Sequence, residues 1–212
     1  HPLARETRVR LMKHNVRYLL LLMAAFLLCS AAVLLAAYRA KAWDMGARES
    51  YPASLTSEGV TIAAQPLADD ARAARVFDKK DMVTRGIMPL AILIFNDNDF
   101  GVEVDGLSIE LLWEGERVRS LTPAAAAGRL FGTTASGPGQ PARPSNRKAL
   151  EDFDDKFLAR KSVPARGRGG GFLYLPVGKR MNLPASLAGA AVYIPHIYRE
   201  DDGSRLIFFE ID

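Results

Sequence analysis

The chain has one cysteine, Cys29, and three histidines, His1, His14 and His196, in 212 residues. A lone cysteine excludes an internal disulfide framework and any Cys-based zinc site. Only His196, in the segment YIPHIY, lies beyond the N-terminal fifth of the sequence. A nucleophilic triad or His-based metal site would have to be built on that one imidazole and nearby carboxylates. No G-x-S-x-G accompanies it, so a structural histidine at a strand end is the expectation. The glycine run from Gly167 to Gly171 is not G-x-x-x-x-G-K-[ST] and precedes a strand, so it reads as a mobile or partner-clamped loop and not a phosphate cradle. The acids Asp97, Asp99, Glu103 and Asp105 lack the order of a calcium loop and read as turn formers. Glu151, Asp152, Asp154 and Asp155 read as the wet face of a helix. No catalytic residue, metal or cofactor is expected, and the chain reads as non-enzymatic.

Charge is present but unevenly placed. The net charge is +4, from 28 Lys/Arg against 24 Asp/Glu. Residues 1–41 hold seven of the bases (Arg5, Arg8, Arg10, Lys13, Arg17, Arg39 and Lys41) and one acid, Glu6, leaving 21 bases against 23 acids, a net of −2, in 42–212. The basic character belongs to the N-terminal flank, which argues against a nucleic-acid partner.

That flank borders the one long hydrophobic run. Tyr18 to Ala37, YLLLLMAAFLLCSAAVLLAA, has no charge, Pro or Gly. At about 1.5 Å per residue it would span roughly 30 Å, the thickness of a bilayer's hydrocarbon core. Its leucines, Phe26 and Val33 together favour insertion by roughly 4 kcal/mol. Five Lys/Arg precede the run, against Arg39, Lys41 and Arg48 after it, which places the tail in the cytoplasm and the rest outside. Arg17, Tyr18, Tyr38 and Trp43 are expected at the membrane interfaces. Ala40-Lys41-Ala42 is a poor cleavage site after so long a run, and bulky Leu28 before Cys29 argues against lipidation there. An uncleaved anchor is the expectation.

The chain therefore divides into a cytoplasmic basic tail (1–17), a transmembrane helix (18–38), a membrane-proximal linker (39–58) and an extracytoplasmic domain (59–212) with an irregular insertion at 122–148. Alternation predicts a first strand over 59–65, and Pro66 with Asp69 and Asp70 predicts a short helix to Phe77. The run IMPLAILIF, 87–95, predicts a central strand buried on both faces. Strands over 100–104, 107–113 and 116–119 are separated by Asp105-Gly106 and Glu114-Gly115, which reads as hairpin chemistry. Asn146 is expected to cap a helix over 147–160 with Leu150, Phe153, Phe157 and Leu158 on one face. After a flexible 163–171 come strands over 172–177, 191–198 and 206–211. The fold expected is mainly β, an immunoglobulin-like sandwich with one or two short helices behind the anchor.

The segments GVTIAAQPLADDARAARVF, GIMPLAILIFNDND, GFLYLPVG and LIFFEID, in that order, resemble a set of uncharacterised bacterial exported proteins with an N-terminal hydrophobic segment and a β-rich domain. The resemblance covers most of 55–212 and implies no activity. The function expected is that of a non-catalytic, single-pass accessory subunit of an integral-membrane complex in the bacterial inner membrane, photosynthetic or respiratory assemblies being the first places to look. Its partners would be other subunits and the bilayer, with no small-molecule substrate. Ala24, Ala25, Ser30 and Ala31 would let helices approach closely. Arg129, Phe131, Arg143, Arg166 and Arg168, in the two irregular segments, are the candidate partner contacts. The alternative is a free-standing anchored module for periplasmic binding or envelope assembly, which requires a pocket in the sandwich.

Overall fold

The computed structural model describes residues 38–132, 144–178, 187–206 and 209–211, together with Met23 and Leu183. The chain divides into two units, His1–Tyr38 and Arg39–Asp212. In the first, Met23 is helical and exposed and Tyr38 is buried. The expected span otherwise lies outside the described residues, among which no helix is long and apolar enough to cross a membrane.

The second unit is mainly β, with three antiparallel sheets and few helices. One sheet has the order β1-β2-β3-β8, from Ser54–Ser57, Val60–Pro66, Ile87–Asn96 and Arg168–Pro176. β3 is the expected apolar run, and all ten of its residues are buried. Its two faces meet different neighbours. Met88, Leu90, Ile92 and Ile94, with Leu173 and Leu175 of β8, enter a core shared with the other two sheets. The alternate residues Pro89 and Ala91 pair across the ladder with Tyr174 and Phe172, on the face that the helices cover.

Three helices supply that cover. α1, Asp70–Val76, is capped by Asp69, whose Oδ1 accepts from Arg72 N at 2.8 Å. α2, Pro123–Phe131, begins at Thr122, whose hydroxyl accepts from Ala125 N, with Pro123 in the first turn where its missing N–H costs nothing. α3 is Pro144–Lys156. Between helices and sheet lies an aromatic layer. Phe77 sits 5.0 Å from Phe153 and 5.2 Å from Phe172, and Phe153 stacks on Tyr174 at 4.9 Å. The Tyr174 hydroxyl donates to the Phe153 carbonyl at 2.7 Å, so its polar tip is satisfied within the layer.

The second sheet is β10-β4-β7 and the third β11-β9-β5-β6, from β4 Val102–Asp105, β5 Glu110–Trp113, β6 Glu116–Arg119, β7 Arg160–Val163, β9 Ala191–Ile194, β10 Ile197–Arg199 and β11 Phe209–Ile211. Glu114-Gly115 is the expected hairpin turn: both residues have positive φ (52° and 79°), and β5 pairs β6.

The structure departs from the sequence reading at several points. Asp105-Gly106 makes no hairpin; Asp105 caps a single 3-10 turn, Gly106–Ser108, that carries the chain from one sheet to the next, so β4 and β5 never pair. β2 and β3 pair in one sheet, whereas consecutive strands B and C of the immunoglobulin arrangement lie in opposite sheets. Within the insertion, Pro123–Phe131 form α2, and α3 begins at Pro144. The glycine run lies mostly within β8, and its bareness has a steric cause. A Cβ on Gly170 would stand 2.4 Å from the Ile92 carbonyl oxygen, and one on Gly171 2.9 Å from that of Lys156. The backbone after α3 lies directly on β8, with Leu158 N donating to Phe172 O at 3.0 Å.

The stretch expected as a linker is fastened to the domain. β1 pairs β2 within it. Arg48 grips Asp97 bidentately, with both bonds at 2.7 Å, and its guanidinium lies over the Phe95 ring. Arg168 Nη1 donates to Gly46 O at 2.8 Å.

Candidate functional site

The short strands β5 and β6 build an open polar groove by simple alternation. In β5, Leu111 and Trp113 turn into the core, which leaves Glu110 and Leu112 on the other face. In β6, Val118 packs inward and Arg117 and Arg119 turn outward. Glu110 pairs across the ladders with Arg119 on one side and Tyr193 on the other, which sets the three in one row.

Glu110 is only 3% exposed although it lies on the outer face. Arg119 Nε donates to Oε1 at 2.6 Å and Arg117 Nη1 to Oε2 at 2.8 Å, while the Arg117 guanidinium also lies 5.5 Å from the centre of the Tyr193 ring. The bonds from Arg119 and then Arg117 hold the Glu110 carboxyl below its ordinary range despite burial. Asp105, Leu107, Ser108, Pro195 and His196 complete a groove of about 410 Å³ around this row. The Asp105 carboxylate accepts from Leu107 N, and the Ser108 hydroxyl donates to the Asp105 carbonyl. His196 stacks on Tyr198 at 5.9 Å, and its buried Nδ1 has no hydrogen-bond partner among the described residues. A carboxylate locked as an anion between two guanidiniums is a weak base, so the arrangement suits holding a ligand better than moving a proton.

On the opposite face of the same strands lies a second concavity. Ala53, Ala64, Pro66, Met88 and Leu90 on one side, and Leu111, Val192 and Ile211 on the other, enclose an apolar cleft of about 130 Å³, with Leu187 and Ala190 at its end. Close-packed cores leave few voids larger than a water molecule. Three of its lining residues are alanines, where one larger side chain would remove it.

Of the residues singled out in the sequence, Arg17, Tyr18, Ala24, Ala25, Ser30, Ala31 and Arg143 lie outside the described residues. Trp43 packs on Phe172 with ring centres 4.5 Å apart. Phe131 meets Phe153 edge-on at 6.3 Å, with Lys79 over its ring. Arg129 and Arg166 are exposed on separate segments, and Arg168 is tied to Gly46. The structure does not gather these into one site. It also disperses the acids weighed for calcium: Asp97 pairs with Arg48, Glu103 with Arg160, and Asp105 caps its turn. Glu110, Arg117, Arg119 and Tyr193 went unremarked in the sequence, although a lone acid in ELLW facing alternating arginines in ERVR across an Asp/Glu-Gly turn was the available signal.

No family model and no curated protein matches the chain. Among solved structures, the crystal structure of a proposed lipoprotein (ycdA) from Bacillus subtilis aligns at 10% identity and a TM-score of 0.36, over 76% of this chain and 38% of that one. The yjhA protein from Bacillus subtilis aligns at 5% identity and a TM-score of 0.34, over 68% of this chain and 78% of that one. The chain thus spans well under half the length of the first, and at these scores neither likeness bears on function.

Proposed function

We propose that this chain is a non-catalytic binding module of the bacterial envelope, anchored in the inner membrane by a transmembrane helix over residues 18–38, with its β-rich domain on the extracytoplasmic face. The observation that carries this reading is the apolar cleft between β1–β3 and β5, β9 and β11. A pocket there is what a free-standing binding module requires and a purely architectural subunit does not. The uneven charge supports the orientation, since the basic residues concentrate before the anchor. The self-paired carboxylates Glu110, Asp97 and Asp81 support a non-catalytic role, because each is already neutralised by arginine or lysine.

The accessory-subunit reading keeps one observation in its favour: Leu55 is exposed on the uncharged edge strand β1, a surface that another chain could cover. Extraction from native membranes in mild detergent separates the two. A binding module runs at the mass of the chain plus its micelle and releases a small apolar molecule on denaturation. Recovery only within a larger assembly, with no extractable apolar molecule, sinks the binding reading and favours the subunit.

A further inference from the structure

Two arginine side chains on the edge strand β6 are pinned where long cationic side chains ordinarily sway. Arg117 Nη1 and Arg119 Nε each use one bond on the same carboxylate, Glu110, at 2.8 and 2.6 Å. That carboxylate is 3% exposed on a sheet face whose arginines meet solvent, their side chains being 63% and 75% exposed. Burying a charge there costs desolvation, and one guanidinium would neutralise it. The second is surplus. Each guanidinium carries five N–H donors, so both forks keep donors for a further acceptor while their orientation is already set. The side-chain ordering that weakens most surface recognition is thereby supplied by the fold.

The groove around them is bounded by Tyr193, Ser108, Leu107, Pro195 and His196, the imidazole whose Nδ1 is unpartnered among the described residues. The charged groups lining it are Arg117, Arg119, Glu110 and Asp105. Both carboxylates are engaged, Glu110 by the two forks and Asp105 by Leu107 N. Asp105, held through one oxygen only, leaves an acidic rim, while the two forks keep free donors for a ligand. Planar guanidinium forks match oxyanions in geometry as well as charge.

We propose that this groove binds an oxyanion group, a carboxylate or a phosphate monoester, carried on a larger ligand, with Arg117 and Arg119 as the recognising forks and Glu110 as the positioning residue. The site stands independently of the apolar cleft, which opens on the other face of β5 and β9.

The test uses the full chain in detergent micelles, titrated at constant ionic strength with inorganic phosphate, acetate or chloride while the arginine Nε–H and His196 resonances are followed. Saturable shifts at Arg117 and Arg119 with phosphate or acetate, absent with chloride, are expected; the stronger of the two identifies the kind of ligand. Arg119→Lys keeps the charge beside Glu110 and removes the fork, and should weaken binding by roughly fivefold or more. Arg48→Gln, at the separate pair with Asp97, should leave it unchanged. If Arg119→Lys loses its dispersed amide spectrum, Arg117→Lys is read in the same way. No saturable shift with either oxyanion, equal shifts with chloride, or full binding by the folded lysine variant would each overturn the proposal.

Discussion

At the scale of single residues, Glu110 concentrates the physics of this domain. Its carboxylate is buried and doubly bonded, and its pKa lies below the ordinary glutamate value because Arg119 and Arg117 favour the ionised form. A group whose folded pKa is depressed contributes stability above its unfolded pKa, about 4.3, and loses it as pH falls through the folded value. Glu110→Gln keeps an acceptor for one arginine, sets an amide NH2 donor against the other and has no charge to titrate. The variant should be less stable than the parent at pH 7, by roughly 1–3 kcal/mol, and the gap should narrow steadily below pH 4. Urea midpoints of both proteins at pH 7 and pH 3 check this; a gap of constant size would show that the charge contributes nothing. Local alternation sets Glu110 opposite the arginines of ERVR, but its burial was not legible, because burial on an outer face is a property of the strands beside it.

At the scale of elements, β3 and β8 show what periodicity reveals and what it misses. A continuous apolar run announces a strand covered on both sides, and β3 is one. The glycine-rich start of β8 announces nothing of the kind, since glycine is the residue of loops and flexible turns. Here Gly171 meets the backbone that follows α3, and Gly170 meets that of the paired strand β3. Gly170→Ala should therefore destabilise strongly, by more than about 2 kcal/mol, since the added Cβ would meet the Ile92 carbonyl 2.4 Å away and backbone cannot step aside cheaply. Gly128→Ala is the contrasting case. Gly128 lies inside α2 with nothing within 4 Å of an added Cβ, so the change should stabilise by about 0.5–1 kcal/mol. Thermal unfolding of the two variants gives opposite shifts if this account holds. The Asp105-Gly106 pair teaches a related lesson. The same dipeptide that closes a hairpin here starts a 3-10 turn, because a Cβ at Gly106 would stand 2.0 Å from the Leu158 carbonyl oxygen; the tight fit to the chain after α3, and not turn propensity, selects glycine.

At the scale of the whole described domain, the β1-β2-β3-β8 sheet is a middle layer, with helices and an aromatic layer on one face and two further sheets on the other. Filling between the sheets is incomplete at the alanine-lined cleft. Ala64→Leu, from the middle of β2, should raise stability by about 1 kcal/mol if the cleft is merely a packing defect, because it replaces void with dispersion contacts. Under the binding reading the same variant also loses its bound apolar molecule, which mass spectrometry of the denatured, detergent-purified chain detects. Unchanged retention of that molecule in a stabilised variant would place its site elsewhere.

The sequence by itself determined the uneven charge, the apolar run of 18–37, the β-rich character of the remainder, the central strand and the helices near 70 and 150. Each of these rests on composition or local periodicity, which act over a few residues. Only the tertiary structure decided that strands adjacent in sequence part into different sheets, that residues 39–58 are clasped to the domain, and that Glu110, Arg117, Arg119 and Tyr193 meet in one row. Those outcomes depend on ladder register and on the close approach of backbones distant in sequence, for which local patterning carries no signal.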